Sequence, residues 1–525
     1  MSAAACTTPI VTVDAGRDVG PVDAFAAPDM FAATDAWPNC AAGHVDPLGD
    51  GSCSYLCTPT STTDLPDPGF ADSNCDGIDG TITHAIFVSP AGSDMAAGTM
   101  QHPVLTIAHA IMLASPMHLD VYVDHGTYAE TIELANGVGI YGGYDRTLST
   151  PGAPAGFWLR SGTATTTING GPRAVHGMGL TMGSTLALLT INAAAPTTPG
   201  GSSYGVVIET STGTVNIASA TIHAASANAG APGAVGAAGL VGPNGTNTAG
   251  GTHSCSTGGA GGPGSPGGAS AGQPGMASPD PGGGPGAPGF PGRPVIPCMP
   301  AGAGGVGGGG MTGAPGNAAS AGTAGVLVGA AWTPTTAMAG MTGHSGTGGG
   351  GGGGGGSGGG VNSGSFSCIA PGQPGGSGGG GGAGGCGGIG GGGGQGGGAS
   401  IAILAVNATI VVTGSMVSAA SGGAGGDGAP GGGGGAGGGS GAPAPGSPPF
   451  GGPGGPGGTG GVGGVGGAGG GGAGGASYGI AHHGTGMVSD TSTVITVAAS
   501  AAAAGHGPGN AGPAGPMPLS RIEIP

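Results

Sequence analysis

Apolar residues are unevenly placed along the 525-residue chain. Aliphatic side chains gather in residues 82–222, 401–417 and 480–497 and nearly vanish between those blocks. Inside the first block the apolar positions alternate with polar ones. The runs DVYVDHGTY, TIELANGVGIYGGYD, TTTINGG, STLALLTINAAA and YGVVIETSTGTVNIASATIHAAS are rich in Val, Ile, Thr and Tyr and are parted by Gly, Asn or Asp. That pattern predicts short strands, preceded by one more at Ile86–Pro90. One stretch departs from it: Ile107, Ala110, Ile111 and Ala114 keep a helical spacing behind Thr106, a suitable N-cap, and predict a single helix. Strands so short, with no helices between them, suit a sandwich or a solenoid.

An internal echo chooses the solenoid. Thr190-Ile-Asn-Ala-Ala-Ala195 returns as Thr221-Ile-His-Ala-Ala-Ser226, as Met416-Val-Ser-Ala-Ala-Ser421 and as Ile495-Thr-Val-Ala-Ala-Ser500. Upstream, Ser203-Tyr-Gly-Val206 is matched by Ser477-Tyr-Gly-Ile480 and more weakly by Ser400-Ile-Ala-Ile403. A unit that cannot bury its own apolar face must stack on its neighbours, and insertions then emerge between turns of the stack. The expected organisation is an acidic disordered stalk (1–38), a small disulfide-stapled loop module (39–80) and a β-solenoid (81–227). Glycine-rich insertions at 228–398 and 422–476 then alternate with further coils at 399–421 and 477–505, and a tail occupies 506–525.

The insertions are low in complexity but not without pattern. Pro453, Pro456, Thr459, Val462, Val465 and Ala468 are each separated by Gly-Gly. A period of three matches the extended left-handed helix with three residues per turn. Collagen is a poor match, because two residues in three are glycine. Two readings stay open: a polyglycine-II-like bundle, in which bare backbones approach and hydrogen-bond, or a flexible brush.

Composition narrows the chemistry. The chain has 140 Gly and 45 Pro, 6% charged residues and a formal net charge of −17. All six basic residues are arginine (Arg17, Arg146, Arg160, Arg173, Arg293 and Arg521), which excludes lysine-dependent catalysis and the P-loop. An acidic surface also argues against nucleic acid as a partner. No apolar run is long enough for a transmembrane helix, and no signal peptide is visible. The cysteines nevertheless point to an oxidising compartment. Cys40, Cys53, Cys57 and Cys75 form one group and Cys255, Cys298, Cys368 and Cys386 a second, with pairing undetermined. Cys6, behind small residues, is either a lipid-anchor site or a free thiol.

Two segments carry a family resemblance. IFVSPAGSDMAAGTMQHPVLTIAHAI followed by VYVDHGTYAETIELANGVGIYGGYD is similar to the entrance of right-handed parallel β-helices of the pectate-lyase-like superfamily. The matching residues are Val88, Ser89, Gly92, Ser93, Asp94, Gly98, Thr99, Pro103, Thr106, Ile107, Val121 to Val123, Gly126, Thr127 and Tyr128. The DSNCDGIDG stretch and the glycine-tailed coils resemble surface proteins of soil bacteria with PE-PGRS-like insertions. The resemblance implies an all-β fold: a right-handed parallel β-helix with an N-terminal capping helix and glycine-rich insertions between coils.

Few residues could carry chemistry. Asp72, Asn74 and Asp76, with Gly77 at the turn, reproduce the first half of a calcium loop, and Asp79, Asp46 or Asp50 could complete it. The twelfth position is Thr83 rather than Glu, so the alternative is an Asx-turn loop without an ion. Zinc is not expected, since no Cys-x-x-Cys occurs. Asp120 and Asp124 share a strand face and could pair, whereas Glu130 and Glu133 point to opposite faces. Arg160 and Arg173 are the basic residues of the coil region. This is a thin set for a lyase or hydrolase. The expected role is therefore a non-enzymatic, exported surface or matrix protein without a cofactor beyond the candidate calcium ion. Its β-helix would present glycine-rich bundles to an extracellular carbohydrate or protein surface. Polyglycine II bundles of glycine-rich antifreeze proteins and phage tail-fibre adhesins present surfaces in this way, and the resemblance implies adhesion or recognition. The alternative is a carbohydrate-active β-helix enzyme of lyase or hydrolase type. Ice binding, the third reading, lacks a long Thr array.

Overall fold

A computed structural model describes residues 40–49, 51–149, 151–252, 254–263, 270–275, 301–356 and 373–524. These fall into two units, described separately.

The first unit comprises the loop module up to His84 together with Arg146–Leu159. A short antiparallel pair, His44–Val45 with Tyr55–Leu56, supports it. Val45, Tyr55 and Cys75 form its small core, with Ala153 packed against them. The Phe157 ring lies so close to Gly77 that a Cβ there would sit 2.3 Å from it, and Gly77 also has φ +107°. Both the space and the dihedral demand glycine.

The second unit is a parallel β-helix. Three sheets of parallel strands run along it. The first contains Ile132–Glu133, Arg173–Met178, Ser203–Glu209, Ser400–Val406, Ser477–His483 and Leu519–Ile524. The second runs from Ala85–Val88 and Asp120–Asp124 through Ile140–Ser149, Ser184–Ala187, Thr214–Ala218 and Thr409–Thr413 to Val488–Thr491. The third holds Gly126–Tyr128, Thr166–Gly170, Leu189–Ala193, Thr221–Ala224, Met416–Ala419 and Val494–Thr496. Inward side chains stack in columns, for example Ile168, Ile191, Ile222 and Val417, all essentially inaccessible. The helix predicted at 107–114 is present (Ile107–Ala114); its four apolar residues join this core, and the Thr106 hydroxyl accepts the His109 N–H.

The sequence echoes are successive storeys. Ser203, Ser400 and Ser477 pair in register across three coils, as do Thr190, Thr221 and Met416. The fourth echo is shifted by one residue: Met416 pairs with Val494, not Ile495. The shift keeps Ile495 in the inward column beneath Val417, and burial overrides the likeness of the Ala-Ala-Ser tail.

The glycine-rich segments form an ordered bundle of extended helices. We label them PG1 (229–245), PG2 (301–322), PG3 (337–356), PG4 (375–398), PG5 (422–446) and PG6 (451–475). Backbone N–H groups at every third residue donate to carbonyls of a neighbouring helix. Gly382, Gly385, Gly388 and Gly391 of PG4 donate to Gly458, Gly461, Gly464 and Gly467 of PG6, each at 2.9 Å. PG4 also bonds to PG1, PG3 and PG5, and so lies at the centre. None of these glycines has positive φ. Space alone selects them.

Glycine content follows the number of packed faces. PG1 turns one row inward (Gly233, Gly236, Gly239, Gly242), where a Cβ would lie within about 2.1 Å of a PG4 carbonyl oxygen. PG6 needs two such rows, and its third row, Pro453 to Ala468, faces out. PG3 changes along its length. Its third row reads Ala339, Thr342 and Ser345, then Gly348, Gly351 and Gly354 where the backbone at 257–263 packs beside it. The Cys255–Cys386 disulfide ties the strand leading into that outer segment to PG4.

A hairpin, Val326–Val328 with Ala331–Thr333, links PG2 to PG3. It lays Trp332 against Tyr204, Ile401, Leu404 and Tyr478 on the outer side of the first sheet. The Trp332 N–H donates to the Tyr204 hydroxyl at 2.7 Å, and the indole N–H donates to the Gly397 carbonyl at 3.2 Å. Tyr204→Phe leaves that buried N–H unsatisfied and is expected to cost about 1–2 kcal/mol locally. Faster hydrogen exchange at the Trp332 amide, with the coil amides unchanged, is the check.

Candidate functional site

Short-range chain geometry positions the acidic loop. Among the described residues of the first unit, Cys40–Cys53 and Cys57–Cys75 are disulfide-bonded. Cys6, Cys298, Cys368 and Asp50 lie outside the described residues. Between Asp72 and Thr83 the carboxylates turn into the loop. Asp72 Oδ1 accepts the Asp76 N–H at 3.1 Å and Oδ2 accepts the Gly77 N–H at 2.7 Å. Asp76 Oδ2 accepts from the Ile82 N–H at 2.8 Å and from Asn74 Nδ2 at 2.9 Å. Asp79, buried, accepts the Asp67 N–H at 3.1 Å, and Asp64, also buried, accepts those of Ser73 and Gly80. Asp46 accepts the Gly51 N–H at 2.5 Å.

Crowding has an electrostatic consequence. Burial, with the nearby Asp72 charge adding to it, pushes the Asp76 carboxyl up to about 7 despite its hydrogen bonds. Asp72 and Asp64 are raised for the same first reason, desolvation. The donor set is all oxygen and, apart from the Asn74 amide, carboxylate, which suits a hard divalent cation chemically. Thr83, in the short 3-10 turn Ile82–His84, supplies no carboxylate at the twelfth position.

In the β-helix, Asp120 and Asp124 lie on the same strand, and both are buried and engaged. Asp120 Oδ1 accepts the Gly139 N–H at 3.2 Å, and Asp124 Oδ2 accepts the Ser89 hydroxyl at 2.7 Å. His125 Nδ1 stands 3.0 Å from Asp124 and 3.6 Å from Asp145. Glu130 caps the helix, its two oxygens accepting the Ile107 and Ala108 N–H groups at 2.9 Å each. Arg160 packs over the Tyr141 and Tyr144 rings, and Arg173 over Tyr204. None of these forms an exposed pair of carboxylates of the kind that flanks a scissile glycosidic bond.

One cluster escapes sequence reading. His176 links three successive coils, with Nδ1 2.7 Å from Glu133 and Nε2 2.8 Å from Glu209. The three residues are far apart in sequence, and only the coil register brings them together. Laying the coils out as columns is the signal that would find it.

Comparison with known proteins adds little. No family model matches the chain. No curated protein matches it either. Among solved structures, pectin methylesterase PemA from Erwinia chrysanthemi aligns at 13% identity with a TM-score of 0.14. The alignment covers 26% of this chain and spans about half (55%) of that one. So loose a superposition carries no argument about activity. Among the described residues, no helix is long and apolar enough to cross a membrane.

Proposed function

We propose that the protein is an exported surface or matrix protein whose β-helix scaffold carries the polyglycine bundle as a recognition surface. The observation behind this reading is the finish of the bundle's outer rows. Along PG6 the two packed rows over 451–472 are glycine throughout, whereas the row that faces out carries Pro453, Pro456, Thr459, Val462 and Val465. A Cβ on those positions blocks the close approach that a further polyglycine helix would need, and the prolines remove the donor as well. The bundle is thereby closed to lateral growth on this side while the outer row stays uncharged, with Val462 and Val465 about half exposed. Apolar, charge-free surface of this kind is suited to docking on an uncharged extracellular polymer or protein.

Sedimentation with crystalline chitin and cellulose particles tests the reading. The wild-type protein is expected to pellet with at least one of them. The Val462→Asp/Val465→Asp double variant, altered only on the exposed row, is expected to lose at least about tenfold in binding while keeping its thermal midpoint. Undiminished binding by that variant removes the bundle face from the role.

The acidic loop joins the proposal as a calcium-stabilised module of the exported protein, with Asp72, Asn74, Asp76 and Asp79 as the oxygen donors. Its support is the crowding of largely buried carboxylates, whose desolvation a divalent cation would offset. Disulfides suit an oxidising compartment, where millimolar calcium is also available.

A further inference from the structure

The inward columns of the β-helix change character at the last of the described coils. In the first sheet, two inward positions read Val206 and Ile208, then Ile403 and Ala405, then Ile480 and His482, and finally Arg521 and Glu523. In the second sheet the series is Val215 and Ile217, Ile410 and Val412, then Val488 and Asp490. Apolar residues thus give way to a histidine, two carboxylates and a guanidinium. Beside Leu519–Ile524, which pairs within the first sheet, lies a cavity of about 350 Å³, walled by Ile480 and Val488 and lined by His482, Asp490, Arg521 and Glu523.

Polar groups in this cavity are unequally satisfied. Arg521 grips Asp490 through two nitrogens, Nε at 2.7 Å from Oδ1 and Nη2 on Oδ2, which fixes both side chains. His482 Nε2 is buried and has no hydrogen-bond partner among the described residues. A buried polar atom left in that state is costly unless a water or ligand reaches it. A hydroxyl could serve it in either tautomer, since hydroxyls both donate and accept. Glu523 faces the same space without an ion pair among the described residues, so the cavity carries one more negative charge than positive. That excess disfavours a uronate and favours a ligand bearing an ammonium group. Ile480 and Val488 offer an apolar wall to ring C–H groups.

We propose that this end cavity binds a single amino-sugar residue, its ammonium on Glu523, a hydroxyl on His482 Nε2, and its ring against Ile480 and Val488. The volume is within the range of small-ligand pockets and suits one ring rather than a chain. The site lies in the β-helix and does not depend on the polyglycine face, so either reading can fail without the other.

Calorimetric titration of the full chain with methyl glucosaminide, methyl glucoside and glucuronate tests it. Saturable binding of the glucosaminide is expected, with the glucoside about tenfold weaker and the glucuronate not bound. Glu523→Gln, on an exposed residue, should weaken the glucosaminide about tenfold and erase its advantage over the glucoside. His482→Phe should weaken both, and the His482 ring protons of the wild type should shift on titration. The Val462→Asp/Val465→Asp variant should bind as the wild type does. Absence of saturable glucosaminide binding, unchanged affinity in Glu523→Gln, or glucuronate bound as tightly as glucosaminide each overturns the assignment.

Discussion

Gly391→Ala is expected to destabilise the bundle by about 3 kcal/mol, whereas Gly433→Ala is expected to leave it unchanged or slightly more stable. Both residues are glycines in helices of three residues per turn, and neither has positive φ. Their surroundings differ. At Gly391 a Cβ would stand 2.0 Å from the Ala429 carbonyl oxygen, and both partners are backbone that cannot rotate away. PG5 would have to retreat by about 1 Å, which stretches the ladder between PG4 and PG5 and strains the bonds from Gly391 to Gly467 and from Gly340 to Gly391. At Gly433 nothing lies within 4 Å of the added atom, and its row already carries Ala436. Alanine there chiefly narrows the unfolded ensemble, worth about 0.4–1 kcal/mol. Native-state hydrogen exchange across 376–398 reads both effects. Equal protection in the two variants would mean that the segments are not packed as a hydrogen-bonded bundle in solution.

That contrast also marks how far the sequence could be read. The coils were legible because inward Ile and Val residues recur with period two, and because Ser203, Ser400 and Ser477 open equivalent strands. Register failed at Ile495, where two adjacent β-branched residues, Val494 and Ile495, fit the echo equally well and only burial separates them. The glycine period signalled three-residue helices but left bundle and brush undecided. A uniform run such as 348–356 has no phase of its own, and its partners lie up to about a hundred residues away. What the composition does encode is the count of packed faces, and PG4, richest in glycine, sits at the centre. In the loop module the donor types were visible, but their surroundings were not: burial raises Asp72 and Asp76, while a Tyr55 hydrogen bond and the Asp64 charge act on Asp72 in opposite directions, and only folding brings these groups together. The His176 bridge and the polar end columns were hidden for a further reason: each joins residues that only coil stacking makes neighbours.

In calcium-free buffer the loop module is expected to lose stability as pH rises from about 4 to 7, by an amount on the order of 2–4 kcal/mol, and to change little above that. The sign follows from Asp76. Its carboxyl titrates at about 7 in the folded module, against 3.8 when unfolded, so between those values the folded form holds the extra proton. Folding is then favoured where the proton is bound, and the advantage is lost as pH passes through the folded value. Asp72 and Asp64, raised in the same direction, steepen the slope. The upper end of the range is trimmed because the largely buried side chain keeps some contact with solvent, which screens part of the interaction. Exchange of the Ile78 and Ile82 amides, both hydrogen-bonded to Asp76, reports the local opening free energy once corrected for intrinsic rates. Asp76→Asn should flatten the profile, since an amide neither titrates nor repels Asp72. Millimolar calcium at pH 8 should slow exchange at both amides in the wild type and leave the Asp76→Asn variant nearly unaffected, because a cation among these oxygens supplies the compensation that the proton gives at low pH. A wild-type profile that responds to pH but not to calcium would keep the electrostatic account of the loop and discard the ion.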